Sequence, residues 1–292
     1  MRYAAIDIGS NAVRLLIADI IENDTKISFK KNTLIRVPLR LGDDAFLDKM
    51  ISPKKVDDLA KTMLAFRHLM DVYRVEEYMA CATSAMRESK NGPEVIGHIR
   101  EFSKIDIQIV EGKIEASIIY SSNIDTHIDI KKNYLFVDVG GGSTELSFFT
   151  DGKPVLSHSF NIGTIRILDN LDKSETWEEM KEWIKEHSRE FKNLCAIGTG
   201  GNINKLFRMS EVKDDTPLSF TALRNLYNYL NSFSLKDRIN VLGLNQDRAD
   251  VIIPAAEIYM AVMKWGGIKQ ILVPRVGMVD GIIQLLIERN TK

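Results

Sequence analysis

IDIGSNAVRLLIAD at residues 6–19 and VDVGGGSTELSFFTD at residues 137–151 decide the fold. Each places an aspartate between apolar residues, turns at glycine, and runs on through apolar residues. The pattern predicts a strand, a tight turn and a returning strand, twice over. Asp7 and Asp138 stand 131 residues apart in a chain of 292, close to half its length. Such a spacing indicates a duplicated domain and not a solenoid repeat.

Working outward, KISFKKNTLIRV gives each meander its third strand in the first copy, and KPVLSHSF does so in the second. SPKKVDDLAKTMLAFRHLMDVY has apolar residues at helical spacing, with Ser52 as N-cap and Pro53 at the first helical position. EEYMACAT and KIDIQIV read as strands around the helix GPEVIGHIREFSK, and residues 113–121 read as a short helix. The second copy continues with a helix over 177–191, the strand LCAIG, helices near 202–209, 218–231 and 250–265, the strand KQILVP, and a closing helix over 277–288. The alternation predicts α/β lobes with mixed sheets. Their expected extents are 1–125 and 126–292, parted near the polar stretch DTHIDIKKN at 125–133.

Composition narrows the function classes. Hydrophobic residues make up 45% and charged residues 27%, which suits a globular chain and excludes collagen-like, disordered and coiled-coil classes. The net charge is −1, so a strongly basic nucleic-acid binder is not expected. Cys81 and Cys195 both lie in apolar strands, fitting free core thiols and a cytoplasmic location. No window approaches about 18 uninterrupted apolar residues, so no membrane span is expected.

The two Asp-x-Gly turns carry the chemistry. Glycines let the backbone turn tightly and aim several N–H groups at one point, a nest suited to phosphate oxygens. Ser10, Ser143 and Thr144 add hydroxyls. Asp7 and Asp138 would repel phosphate directly, and make sense if Mg²⁺ with its waters intervenes. Competing signatures are missing: there is no G-x-x-x-x-G-K-[ST] loop, no H-E-x-x-H and no C-x-x-C, and GTGGNI fails the G-x-G-x-x-G spacing at Ile203.

IDIGSNAVRLLI, ATSAMRESKN, EGKIEASIIY, VDVGGGSTELSFF, IGTGGNINKL and ADVIIPAAEIY occur in this order. Together the sequence resembles the exopolyphosphatase / guanosine pentaphosphate phosphohydrolase family, within the actin-like ATPase superfamily. The resemblance implies two actin-like (ribonuclease H-like) lobes with a cleft between them, and an enzyme that uses Mg²⁺, or Mn²⁺, to hydrolyse terminal phosphoanhydride bonds of polyphosphate. By the same resemblance Asp7, Gly9, Ser10 and Asn11 match the first phosphate loop, and Asp138 with Gly140, Gly141, Gly142, Ser143 and Thr144 match the second. Arg87 matches a phosphate-binding arginine, Glu115 the catalytic glutamate, and Glu145 a glutamate that holds metal or water. Asp7, Asp138 and Glu145 form the implied metal set.

Two departures stand out. Ile114 occupies the place where the family often has the first of two glutamates, and the chain stops after the second lobe, where long members carry an added helical region. A preference for short chains, or frequent release of long ones, is therefore expected. Lys30, Lys31, Arg36 and Arg40 form a basic run that suits either a polyanion path or a solvated face. Arg166 is expected to face the cleft. The amphipathic tail GMVDGIIQLLIER is expected to pack on a lobe or on a partner subunit of a homodimer. The alternatives are hydrolysis of guanosine pentaphosphate at the same site, a non-catalytic nucleotide-binding switch, which leaves Glu115 without a role, and a sugar kinase, for which no sugar-pocket segment is visible.

Overall fold

The computed structural model describes residues 1–292 apart from 24, 25, 123–128, 130, 215 and 292. It divides into two compact units, Met1–Asn123 with Gly277–Lys292, and Ile124–Val276.

The first unit contains, in chain order, β1 (Arg2–Ile8), β2 (Val13–Asn23), β3 (Lys26–Val37), α1 (Leu41–Leu47), α2 (Pro53–Val72), β4 (Glu77–Ala82), α3 (Ser84–Glu88), α4 (Gly92–Ser103), β5 (Ile107–Ile109) and α5 (Gly112–Tyr120). Its five-stranded sheet has the order β3-β2-β1-β4-β5. β1 pairs antiparallel with β2 and parallel with β4. Every residue of β1 after Arg2 is buried, as a central strand covered on both faces requires.

The second unit repeats the plan with β6 (Tyr134–Val139), β7 (Thr144–Thr150), β8 (Lys153–Phe160), α6 (Thr164–Leu168), α7 (Ser174–Ser188), β9 (Cys195–Thr199), α8 (Gly201–Met209), β10 (Leu218–Ser219), α9 (Phe220–Asn231), α10 (Leu235–Asn240), α11 (Gln246–Ala249), α12 (Ile252–Trp265) and β11 (Gln270–Leu272). The order of its sheet is β10-β11-β9-β6-β7-β8. Here β6 takes the place of β1, antiparallel to β7 and parallel to β9. The core joins Leu135, Val137, Phe148 and Phe160 of the strands to Met180, Ile184, Leu206 and Tyr259 of the helices. The expected α/β lobes with mixed sheets are thus both present.

The last helix, α13 (Met278–Asn290), departs from the expected extent 126–292. It returns to the first unit because Ile282, Ile283, Leu286 and Ile287 join the cluster of Tyr3, Ala5, Leu16 and Ile118. Burying each such side chain contributes about 1.5–3 kcal/mol, far above a surface ion pair at about 0–1 kcal/mol. Gly281 lets the helix come close to α5, since a Cβ there would stand 1.7 Å from the Ile118 carbonyl oxygen. The apolar face of the tail is therefore spent inside its own chain. The boundary expected at 125–133 falls largely outside the described residues.

The basic run is also partly spent. Lys31 pairs with Asp280 at 2.6 Å, and Arg40 with Asp43 at 3.0 Å. Asp280 also accepts from the Gly277 N–H at 3.0 Å, closing the first turn of α13. Burial pushes the Asp280 carboxyl above its ordinary value, and the Lys31 ammonium pulls it only part of the way back. With a raised folded value, Asp280 adds stability that is fully present below the ordinary carboxyl range and fades as pH rises through the folded value. Lys31→Met should therefore cost about 1–3 kcal/mol at neutral pH, less than a fully buried pair because Lys31 is half exposed. Adding Asp280→Asn should restore most of the loss. Thermal melts of both single variants and the double variant from pH 4 to 8 test this; a double variant less stable than Lys31→Met would contradict it.

Candidate functional site

Both Asp-x-Gly turns lie at the carboxyl ends of central strands, where ligands bind in open α/β sheets. They close alike. Gly9 N–H donates to the Ala12 carbonyl at 3.2 Å, and Gly140 N–H donates to the Ser143 carbonyl at 2.9 Å. These positions are equivalent under the 131-residue repeat.

In the first unit, Asp7 is buried and its Oδ2 accepts from Arg14 Nη1 at 2.5 Å. Arg14 lies directly opposite Asp7 in the β1–β2 register. The Ser10 hydroxyl shares a 2.9 Å hydrogen bond with that of Ser84, which opens α3, while the Ser10 and Asn11 carbonyls accept from the Gly42 and Arg40 N–H groups. The loop is thereby joined to the helix that carries Arg87. Arg87 donates to the Val110 carbonyl at 2.6 Å, at the entry to α5. Glu115 sits in the first turn of α5, with Ile114 beside it 51% exposed. Cys81 reports on the local charge: its thiol is pushed up to about 12, by burial first and then by Asp7 and Glu115. It is an inert core thiol and not a nucleophile.

In the second unit, Asp138 and Glu145 are directly opposite in the β6–β7 register, and a carboxylate oxygen of each lies within 4.8 Å of the other. Glu145 Oε1 accepts from the Ser159 hydroxyl at 2.9 Å, and Asp138 Oδ1 accepts from the Thr199 hydroxyl at 2.8 Å. Tyr259 is fully buried and donates to the Thr199 carbonyl at 2.7 Å. Burial, and then the Asp138 and Glu145 charges, hold its phenol well above the ordinary value, so it remains a donor at working pH. Like charges directly opposite on a sheet are destabilising unless a cation lies between them. The oxygen-only donor set suits a hard ion such as Mg²⁺ or Mn²⁺.

The glycine turn of the second unit rests on the N-terminus of α6. Thr164 N–H donates to the Gly140 carbonyl at 3.1 Å, Ile165 N–H to Gly141 at 2.9 Å, and Arg166 Nε to Gly142 at 2.6 Å. Arg166, expected to face a cleft, is buried beneath the loop. Thr144, expected to bind phosphate through its hydroxyl, is fully buried and donates that hydroxyl to the Ile162 carbonyl at 2.7 Å. The sequence reading missed Arg14, Gly163, Thr199 and Tyr259. Arg14 had one available signal: it stands seven residues after Asp7, as Glu145 stands seven after Asp138.

Comparison with known proteins places these features in context. The Ppx/GppA phosphatase family model matches residues 20–289. A putative exopolyphosphatase of Haemophilus influenzae is 25% identical, over 98% of this chain and 91% of its own length. A bifunctional 3-dehydroquinate synthase/phosphatase of Fusobacterium nucleatum is 29% identical, over 90% of this chain but 43% of its own length. Among solved structures, an exopolyphosphatase from Cytophaga hutchinsonii superposes with a TM-score of 0.86 at 22% identity, covering 99% of this chain and 98% of its own. An Aquifex aeolicus Ppx/GppA family member gives 0.78 at 21%, covering 100% and 99%. The two structures share its fold.

Proposed function

The chain belongs to the Ppx/GppA phosphatase family and is a phosphoanhydride hydrolase, and we propose that it releases orthophosphate from the ends of inorganic polyphosphate with Mg²⁺ or Mn²⁺. The observation that carries the reading is the acidic pair Asp138–Glu145 beside a glycine turn whose backbone is locked by α6.

The residues divide the work. Hydrolysis of a phosphoanhydride needs a positioned water, neutralised oxygens and little covalent help. Gly9, Ser10 and Asn11 of the first turn, and Gly140, Gly141, Gly142 and Ser143 of the second, would offer donors to phosphate oxygens. Arg87, permanently charged, would fork onto a phosphate. Asp138 and Glu145 would hold the divalent ion, which supplies charge neutralisation at the phosphoryl oxygens. Glu115 would orient the water and take its proton as the water oxygen bonds to the terminal phosphorus and the bridging oxygen leaves.

A side-by-side assay of phosphate release from short polyphosphate, long polyphosphate, guanosine pentaphosphate and ATP tests the substrate. Fastest release from polyphosphate supports the proposal; release from guanosine pentaphosphate alone would replace the substrate. Activity should vanish on exhaustive chelation and return with Mg²⁺ or Mn²⁺, and full activity in chelator would contradict the metal assignment. Because Lys31 and Arg40, two of the four cations of the basic run, are already ion-paired, the run offers a long polyanion a reduced grip. A long chain should therefore shorten as a population, with product sizes shifting down together on a gel. Full-length substrate coexisting with orthophosphate and no intermediates would contradict this.

A further inference from the structure

A cavity lies at the amino-terminal end of the second unit's sheet, away from its glycine turn. β6, β9 and β11 begin there at one level: Tyr134 stands opposite Cys195 in the β6–β9 register, and Cys195 Sγ donates to the Gln270 carbonyl at 3.4 Å. A volume of about 660 Å³ opens over these three strand starts, inside the span of about 300–1,000 Å³ usual for small-molecule sites. The glycine turn leaves the other end of the six-residue strand β6, about 16 Å away at about 3.3 Å per residue. We infer that this cavity binds a small organic anion, an apolar body carrying one acidic group, at a site separate from the phosphate turns.

The walls set the ligand's chemistry. Tyr134 is buried, and its hydroxyl accepts from the Asp129 N–H at 3.1 Å, so the ring is held in place. Phe191 is fixed by stacking on Phe148, with ring centroids 5.0 Å apart, and Leu194 packs against the same core. These side chains offer an apolar body a preformed surface. Gly267 turns the chain at φ +63° and faces open space, so no side chain fills the room above them. The charges are of one sign: Lys132 and Lys269 line the cavity, and among the described residues no aspartate or glutamate does. Lys132 meets Asp129 only at 3.9 Å, with both side chains largely exposed, a pair too loose to neutralise it. Burial pushes the Cys195 thiol up, and the Lys132 ammonium pulls it part of the way back, so that charge is felt at the cavity wall. An acidic group at this rim would gain two cations, while a bare anion would leave the apolar walls uncovered.

The test reads binding on the full chain, so it stands whatever the phosphate turns hydrolyse. Two probes of similar shape are titrated by fluorescence: anilinonaphthalene sulfonate, which is anionic, and phenylnaphthylamine, which is neutral. The sulfonate should bind the folded protein, and more weakly as salt is raised. Replacing both cations, Lys132→Met with Lys269→Met, should lower its affinity about fivefold, the worth of two exposed charge contacts, and should not weaken the neutral probe. Both lysines are exposed, so the fold has little reason to respond. Cys195 locates the probe. Methyl methanethiosulfonate should modify Cys195, which is half-buried, and spare buried Cys81, and saturating sulfonate should slow that modification about tenfold, as read by mass spectrometry. Tripolyphosphate should not displace the sulfonate. No sulfonate binding, binding that leaves Cys195 unprotected, equal loss of both probes in the double variant, or displacement by tripolyphosphate would each overturn the inference. So would a Cys195 that resists the reagent in the free protein, which would mean a closed cavity, or one protected merely by raising the protein concentration, which would mean a contact between copies of the chain.

Discussion

Glu115→Gln should leave the fold and substrate binding in place and lower turnover by about 10²–10⁴-fold, the usual worth of general-base assistance. Glu115 lies in the first turn of α5, and its N–H donates to the Glu111 carbonyl at 2.9 Å. Glutamate and glutamine have nearly equal helix propensity and the same shape, so the backbone has no reason to respond. What changes is the ability to take a proton. An amide can still orient water but cannot accept its proton at neutral pH. The loss should therefore fall on kcat, while KM and the affinity for a non-hydrolysed polyphosphate analogue stay close to wild type. Melting curves would establish folding, and steady-state phosphate release would give kcat. Near-wild-type turnover in a folded variant would remove Glu115 from the catalytic role.

The legible parts of this molecule are those with a period or a repeat. β1, β2 and β3 could be read from runs of apolar and β-branched residues, and α2 from its 3.6-residue spacing behind Ser52 and Pro53. The duplication was visible because both strand-end aspartates and their glycines survive in sequence. Short helices escaped. α1, α3, α6, α10 and α11 run from four to seven residues, too few for a helical period to show. α6 matters most among them, because it supports the second glycine turn. The return of α13 to the first unit was not legible either. An amphipathic tail announces an apolar face but not the surface that receives it; the receiving surface depends on Gly281 and Ile118 meeting in three dimensions. At the candidate site, residue types were legible and pairings were not. Asp7 and Asp138 look equivalent in sequence, yet one meets a guanidinium and the other a second carboxylate. Thr144 looks like a ligand until its hydroxyl is traced to Ile162.

Gly163→Ala should lower turnover by about 10²-fold, the scale of loss that a misplacement of about 1 Å produces, although residue 163 belongs to no sequence motif read as catalytic. A Cβ at this position would lie 2.4 Å from the Gly141 oxygen and 2.6 Å from the Gly142 carbon. These neighbours are backbone, so they cannot rotate aside as a side chain would. Either the glycine turn moves away or α6 does, and the three hydrogen bonds from Thr164, Ile165 and Arg166 to that turn cannot all survive. Overpacking of this kind costs roughly 1–3 kcal/mol of stability, which a large α/β unit can absorb while remaining folded. The larger consequence falls on the N–H groups of Gly140–Gly142, whose aim is the property the turn contributes. Arg166→Lys probes the same support without adding volume: it keeps the charge beneath the loop but loses the planar donor that holds the Gly142 carbonyl at 2.6 Å. Its effect should have the same sign and be smaller. Phosphate-release kinetics on both variants, with melting curves to establish folding, would test the point. Wild-type turnover in a folded Gly163→Ala protein would mean that the second turn does not set the rate, and would leave phosphate handling to the first unit.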